Sequence, residues 1–377
     1  VATKRTYRIL LAVLTIGFSF VWAQRMFKVW DFNSLGGAQT KHPKPTLGIN
    51  AWLDGDFQSQ FDKYSTDSFG FQSPLVRLVN ELDFQMFNAA NARYVVVGKN
   101  NYLYETPYIE AVTGMDYLGR DSIKSIATKV GMIQDTLSKL GVRFEILFAP
   151  GKGSYYPEHI PNYYKYYTSD STNYAVFKDE FRRQNIPYLD FHNWFRAMKD
   201  TTSYPLFPTT GIHWSKYGMV LATDSIINHW NRLYPNQVAN FSYSLERTPT
   251  TKTESTDADV EEGMNLMTEL HHYPMMYPNY TFGHKDSLIT SAVIADSYFW
   301  GLFDVGLSTR ACENGEFWYY FQQVYPQNFE SGLMIKDLDL KEAIESKDVI
   351  MILQTDATLD RFGFGFVEAA YKQYFID

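Results

Sequence analysis

An α/β fold, a mostly parallel sheet flanked by helices with a membrane helix at its N-terminus, is what this sequence predicts. Three observations carry that expectation. From about residue 94 onward, apolar runs of strand length alternate with longer segments whose apolar residues recur every three or four positions. The runs end in Gly, Pro or small polar residues, as strands do where they leave a sheet. Lys4, Arg5 and Arg8 precede an apolar stretch, residues 9–23, that holds neither charge nor proline.

A basic flank before an apolar core is the signature of an export signal. The core alone is shorter than the roughly 20 residues a bilayer needs. The run continues past Arg25, however, as Met26, Phe27, Val29 and Trp30. A retained signal-anchor transmembrane helix over residues 1–30 is therefore expected, with Arg25 and Lys28 reaching the headgroups and Trp22 or Trp30 at an interface. Small residues at Val21 and Ala23 leave a cleaved signal peptide as the alternative. The basic end stays cytoplasmic, which puts the residues beyond 31 across the membrane.

Residues 31–50, with Pro43, Pro45 and Gly48, read as a polar connector, and 51–377 as the main domain. Helical periodicity starts near Trp52 and is clear over 75–87; 94–98 and 102–104 read as short strands. A helix over 121–140 places Ile123, Ile126, Val130, Ile133 and Leu137 on one face, and Gly141 fits its C-terminal cap. The strand 143–148 breaks at Ala149-Pro150-Gly151. A helix over 173–184, a strand over 186–191 and a helix over 216–233 follow. Residues 245–262, rich in Thr, Asp and Glu, read as a solvent-facing polar insertion. The α/β rhythm returns with strands over 288–295 and 348–354 and a helix after Ser297.

The formal net charge is −8 and no long basic run occurs outside the N-terminus, which counts against nucleic acid as a partner. A single cysteine, Cys312, excludes an internal disulfide and a Cys-rich metal site. Asp257, Asp259, Glu261 and Glu262 lack the Gly turn and ligand spacing of a calcium loop. No cofactor and no metal is expected. The 17% aromatic content supplies rings for the core and, where exposed, for a sugar-binding groove.

The strongest chemical signal is the run 291–299, where a buried strand ends in Ala295-Asp296-Ser297 just before a helix. Ligands gather at the carboxyl ends of strands in open α/β sheets. A serine there meets free backbone N–H groups able to face a developing oxyanion; as a bare local feature Asp296 or Ser297 reads more readily as a helix cap. His213, in Thr210-Gly211-Ile212-His213-Trp214-Ser215, follows Pro205 and Pro208 and precedes a helix. A neutral imidazole can take a serine proton and return it to a leaving group. Phe148-Ala149-Pro150-Gly151-Lys152 is another strand end on the same rim, and lacks the spacing of a phosphate loop.

Four blocks carry a resemblance: Trp52-Leu53-Asp54-Gly55 with Asp67-Ser68-Phe69-Gly70-Phe71; Val97-Gly98-Lys99-Asn100-Asn101-Tyr102-Leu103-Tyr104; Ala149-Pro150-Gly151-Lys152 with Tyr156-Pro157-Glu158; and His213-Trp214 with Ala295-Asp296-Ser297. In this order, over most of residues 45–377, the chain resembles the SGNH-hydrolase-like O-acetyltransferases of the alginate O-acetyltransferase family. The resemblance implies a flavodoxin-like SGNH core in the periplasm, anchored in the bacterial inner membrane. It also implies a serine that carries an acyl group to a polysaccharide hydroxyl, and an MBOAT-type membrane acyltransferase as the supplier.

Ser297 is then the expected nucleophile and His213 the expected base. The family usually has Asp two residues before the catalytic His, where this chain has Gly211. Asp356, just past the 348–354 strand, is the candidate for the orienting acid, with Asp190 second. Lys152, Tyr156, Trp214 and Tyr298 are candidates for substrate contacts, and Trp300 for a groove wall. Three readings stay open: acyl transfer to an envelope polysaccharide, a carbohydrate esterase, and a non-catalytic glycan-binding or scaffold subunit. A Ser297–His213 approach near 3 Å favours an enzyme; a gap beyond about 6 Å without a closing loop favours the last reading.

Overall fold

In the computed structural model, which describes residues 2–37, 41–326 and 332–376, the apolar N-terminus forms helix α1 (Ala2–Phe27). Its stretch Thr3–Phe27 is long and apolar enough to cross a membrane. The chain folds as two compact units, one made of Val1–Arg93 with Glu261–Glu269, the other of Tyr94–Val260 with Leu270–Asp377.

The first unit adds α2 (Ile49–Leu53), α3 (Asp56–Asp67) and α4 (Gln72–Phe87) to α1. The turn between α3 and α4 abuts α1 directly, because Gly70 has no side chain. A Cβ there would lie 2.8 Å from the Val21 carbonyl oxygen. Phe71 stacks on Phe20 at 5.3 Å, and Arg25 sits over the Tyr64 ring. The Gln24 amide closes α1 by bonding both the N–H and the carbonyl of Trp30.

The second unit is the α/β body. It opens with the antiparallel pair β1 (Val95–Val97) and β2 (Leu103–Glu105), followed by α5 (Thr106–Thr113) and α6 (Arg120–Lys139). Next come β3 (Arg143–Ala149), α7 (Lys152–Tyr155), α8 (Asn173–Arg183), β4 (Leu189–Asp190), α9 (Phe191–Met198) and α10 (Lys216–Leu233). Strands β5 (Phe241–Ser244) and β6 (Asn279–Phe282) pair with each other; α11 (Asp259–Met264) lies between them in sequence and passes from the second unit into the first. The chain ends with β7 (Thr290–Ala295), α12 (Phe299–Val305), β8 (Glu313–Tyr319), β9 (Gln323–Tyr325), β10 (Leu333–Met334), α13 (Leu340–Glu345), β11 (Val349–Thr355) and α14 (Phe366–Phe375).

Among the described residues the main sheet has seven strands in the order β10-β9-β8-β7-β11-β3-β4. The five from β8 to β4 are parallel; β9 and β10 extend it as an antiparallel edge. This is the expected α/β architecture, a mostly parallel sheet flanked by helices. Strand β11 is buried along its whole length, so it reads as a continuous apolar run rather than an alternating one. On one face Ile146, Phe148, Ala292, Ile294, Ile350 and Ile352 pack against α6, α8 and α14 through Val130, Ile133, Phe177, Phe181 and Phe366.

Two expectations need correction. The strand over 186–191 shrinks to two residues at the sheet edge, its start held instead in the turn after α8 by the Ile186 N–H to Phe181 bond. The polar segment 245–262 faces solvent over most of 245–255 and turns inward after that: Asp257, Ala258, Val260 and Glu261 are buried.

Candidate active site

Because β3, β4, β7 and β11 run parallel, their carboxyl ends share one rim, and the turns after them converge there. Ser297 stands two residues past β7 and two before α12. The turn that holds it is tied down by Asp296. Its carboxylate is buried, accepts the Tyr298 N–H at 3.0 Å, and accepts the Thr355 and Thr358 hydroxyls at 3.1 and 2.8 Å. Burial raises the pKa of Asp296 against those bonds.

His213 comes from the loop before α10. Pro205 and Pro208 keep this stretch out of a helix. Ser215 then starts α10, its hydroxyl accepting the Gly218 N–H at 3.1 Å. The imidazole Nε2 lies 3.0 Å from Ser297 Oγ. Its Nδ1 lies 2.5 Å from Oδ2 of Asp259, whose other oxygen accepts the Ile212 N–H at 2.9 Å. A serine, an imidazole and a carboxylate thus form a continuous hydrogen-bonded row, drawn from three segments far apart in the chain.

The acid in that row is not the one expected. Asp356 is buried, takes a short hydrogen bond from Ser154 and lies 3.4 Å from His192, while the His213 Nδ1 faces Asp259. Asp190 is occupied as the cap of α9, accepting the Asn193 N–H, and by an ion pair with Lys178 at 2.6 Å. Gly211 leaves no room for an acid two residues before His213. A Cβ at residue 211 would collide with the Thr256 carbonyl oxygen and fall 2.9 Å from the Asp257 backbone. The segment that brings Asp259 to the imidazole occupies the space where a side chain at 211 would stand. The interleaving of buried Ala258 and Val260 with acids in Asp257-Ala258-Asp259-Val260 is the sequence signal for it.

Electrostatics favour a protonatable imidazole. Burial disfavours the charged form of His213, but the hydrogen bond and charge of Asp259 outweigh it and raise its pKa. Burial, with the charge of Asp259 adding to it, pushes Asp257 up to about 7. Glu105, at the end of β2, is raised by burial and then by Asp259. Tyr320, with burial lifting its phenol to about 12, interacts with Ser297 and is a site residue that nothing in the sequence marked.

Three of the four expected substrate contacts, Lys152, Trp214 and Tyr298, turn out to be internal, and Tyr156 is half-buried. Lys152 is wholly buried, and its ammonium donates to the carbonyls of Thr209 and Gly211, both at 2.7 Å. It braces the His213 loop and does not face a ligand. Trp214 and Tyr298 are fully buried and lock that loop to the Ser297 turn: the indole N–H donates to the Tyr298 carbonyl at 3.3 Å, and the phenol to the Ile212 carbonyl at 2.7 Å. Tyr156 packs edge-on against Tyr102 and Tyr155, under Lys199. The Trp300 ring lies against Phe317 and Tyr325.

Among solved structures, the chain is similar to the O-acetyltransferase domain of Pseudomonas putida AlgJ, at 15% identity and a TM-score of 0.48, covering 74% of this chain and 99% of that one. It is similar to Pseudomonas aeruginosa AlgX at 11% identity and a TM-score of 0.47, covering 74% and 69%. Bacillus cereus PatB1 aligns at 11% identity with a TM-score of 0.45, covering 72% and 98%. No curated protein matches the chain. Residues 95–284, just over half of the sequence, match the family model described as SGNH hydrolase-like domain, acetyltransferase AlgX. That span holds His213 and Asp259 and stops short of Ser297. The chain belongs to this SGNH hydrolase-like acetyltransferase family.

Proposed function

We propose that the protein is a serine-dependent O-acyltransferase, most simply an O-acetyltransferase, acting on hydroxyls of an envelope or extracellular polysaccharide. One observation carries this reading: the continuous contact from Ser297 through His213 to Asp259. As Ser297 Oγ attacks an acyl carbonyl, Nε2 of His213 takes the hydroxyl proton, and Asp259 holds the imidazole in the tautomer that can accept it. The proton then passes to the leaving group, which departs as the acyl–serine bond is completed. In the second half, a sugar hydroxyl gives its proton to His213 and takes the acyl group, regenerating Ser297. A cavity of about 550 Å³ beside Tyr320, lined also by Gln322, Asp360, Arg361 and Phe364, offers polar and aromatic groups for such an acceptor.

With α1 retained as a signal anchor in the inner membrane, the catalytic unit faces the periplasm. An MBOAT-type acyltransferase would supply the acyl group to it from the cytoplasmic side. The test uses the full chain with a small acetyl ester as donor and an oligosaccharide as acceptor. An acetyl group should appear on the peptide containing Ser297, be absent in S297A, and move to the sugar on adding acceptor. Transfer undiminished in S297A would overturn the assignment; free acetate without acetylated sugar would make the protein an esterase.

A further inference from the structure

Helix α4 is amphipathic the wrong way round for a soluble protein. Leu75, Leu78, Val79, Leu82 and Met86 recur at three- and four-residue spacing, so they form one stripe, and all are exposed, by 42% to 68%. The opposite face carries the polar residues, and these turn inward. Arg77 donates to the Leu266 carbonyl, Asn80 to the Met264 carbonyl, and Glu81 accepts from the Met267 N–H and the Thr268 hydroxyl. Water cannot be the intended neighbour of that outer stripe.

The helix is tied to α1 at a depth that names the neighbour. The 25 residues Thr3–Phe27 span about 37 Å as a helix, against about 30 Å of hydrocarbon. The α3–α4 turn meets α1 at Val21 and Arg25, within about 9 Å of its Phe27 end. Leu75, first residue of the stripe, lines the same groove as Phe18, Val21 and Trp22 of α1. Ile49, Trp52, Leu53 and Phe61 of α2 and α3 are exposed as well. Arg25 and Lys28, with Trp22 and Trp30, supply the charges and indoles that favour a headgroup layer. A protein interface of this size would carry polar groups among its apolar ones, and the stripe has none.

We propose that α2–α4 lie in the outer-leaflet interface, the stripe Leu75–Met86 resting among lipid acyl chains beside the point where α1 leaves the bilayer. This rests on α1 spanning the membrane, and the test separates the two. Full-length L78C and L82C, labelled with an environment-sensitive fluorophore, are placed in phosphatidylethanolamine–phosphatidylglycerol vesicles. L14C in α1 and K139C on the second unit serve as references. Acyl-chain nitroxide lipids should quench the labels at 78 and 82 several-fold more than aqueous iodide does, as at 14, with the reverse at 139. Labels at 78 and 82 that respond to iodide like 139, while 14 responds to lipid, overturn the platform and leave the anchor; a stripe reserved for another protein would give that pattern. Iodide quenching at 14 as well removes the anchor and the platform together.

Discussion

Asp259 is the residue on which the reactivity of His213 turns. Its carboxylate both orients the imidazole and raises its pKa, against the opposing effect of burial. Replacing it with Asn keeps the shape and removes the charge. D259N should lower the acylation rate by roughly 10²–10⁴-fold, measured as adduct formation at Ser297; a loss of only a few-fold would remove Asp259 from the mechanism. The pH profile gives a second readout. A general base works as neutral imidazole, so the rate rises with pH through the His213 pKa, which stands above the ordinary value near 6.5. In D259N burial is opposed only by the charges of Asp296 and Glu105, and the acid limb should shift to lower pH. Adding an acid with G211D in the D259N background should not rescue the rate, because the backbone at Thr256 and Asp257 fills that space. Ser297 and His213 were legible because each sits at a strand or helix boundary with a recognisable local pattern. Asp259 was not, because its segment has the composition of a surface loop, and against that background the alternation of Ala258 and Val260 with acids is too short to show that tertiary packing turns it inward. Asp356 had the better address, at a strand end on the right rim, and was already taken by Ser154.

One element, the short helix α7, connects the sheet to the His213 loop through Lys152. A neutral amine has two N–H donors, and the carbonyls of Thr209 and Gly211 use both. Burial brings the Lys152 pKa down to about 7 from 10.5. Between those values the unfolded chain holds a proton that the folded one has released, so this residue makes stability rise with pH across that window and fall as pH drops toward 7. The slope is on the order of 1 kcal/mol per pH unit. K152M should flatten it; the Gly211 carbonyl loses its donor, a cost of about 1–3 kcal/mol set against the protonation penalty that the substitution removes. The Thr209 carbonyl keeps the Leu103 N–H at 2.9 Å. Urea unfolding of both proteins from pH 7 to 9 measures this; parallel slopes would show that Lys152 does not titrate there. The elements themselves read well where burial is one-sided or complete. Helices α6, α8 and α10 and strands β3, β7 and β11 fall within two residues of their expected ends. Strands β9 and β10 went unseen, being three and two residues long and too short to show a period.

For the whole molecule, the orientation of α1 decides which side of the membrane the Ser297 site works on. The charges on the two sides of the apolar core 9–23 are nearly balanced: Lys4, Arg5 and Arg8 precede it, and Arg25, Lys28, Lys41 and Lys44 follow it. The first three are clustered directly ahead of the apolar core, as in an export signal. The later four are spread out, with Arg25 held over Tyr64 and Asp31 among them. Large domains also translocate with little regard to their charge. The Lys4 end should therefore stay in the cytoplasm and the α/β body cross. The protein's own thiol leaves this open to a clean test. Cys312 is wholly buried, with its pKa pushed up to about 12, so it should stay silent toward maleimides. A single cysteine added by K139C, at the exposed end of α6, should react with a membrane-impermeant maleimide in intact spheroplasts. One added by T3C should react only after permeabilisation. The opposite pattern would place the serine in the cytoplasm, out of reach of any envelope polysaccharide.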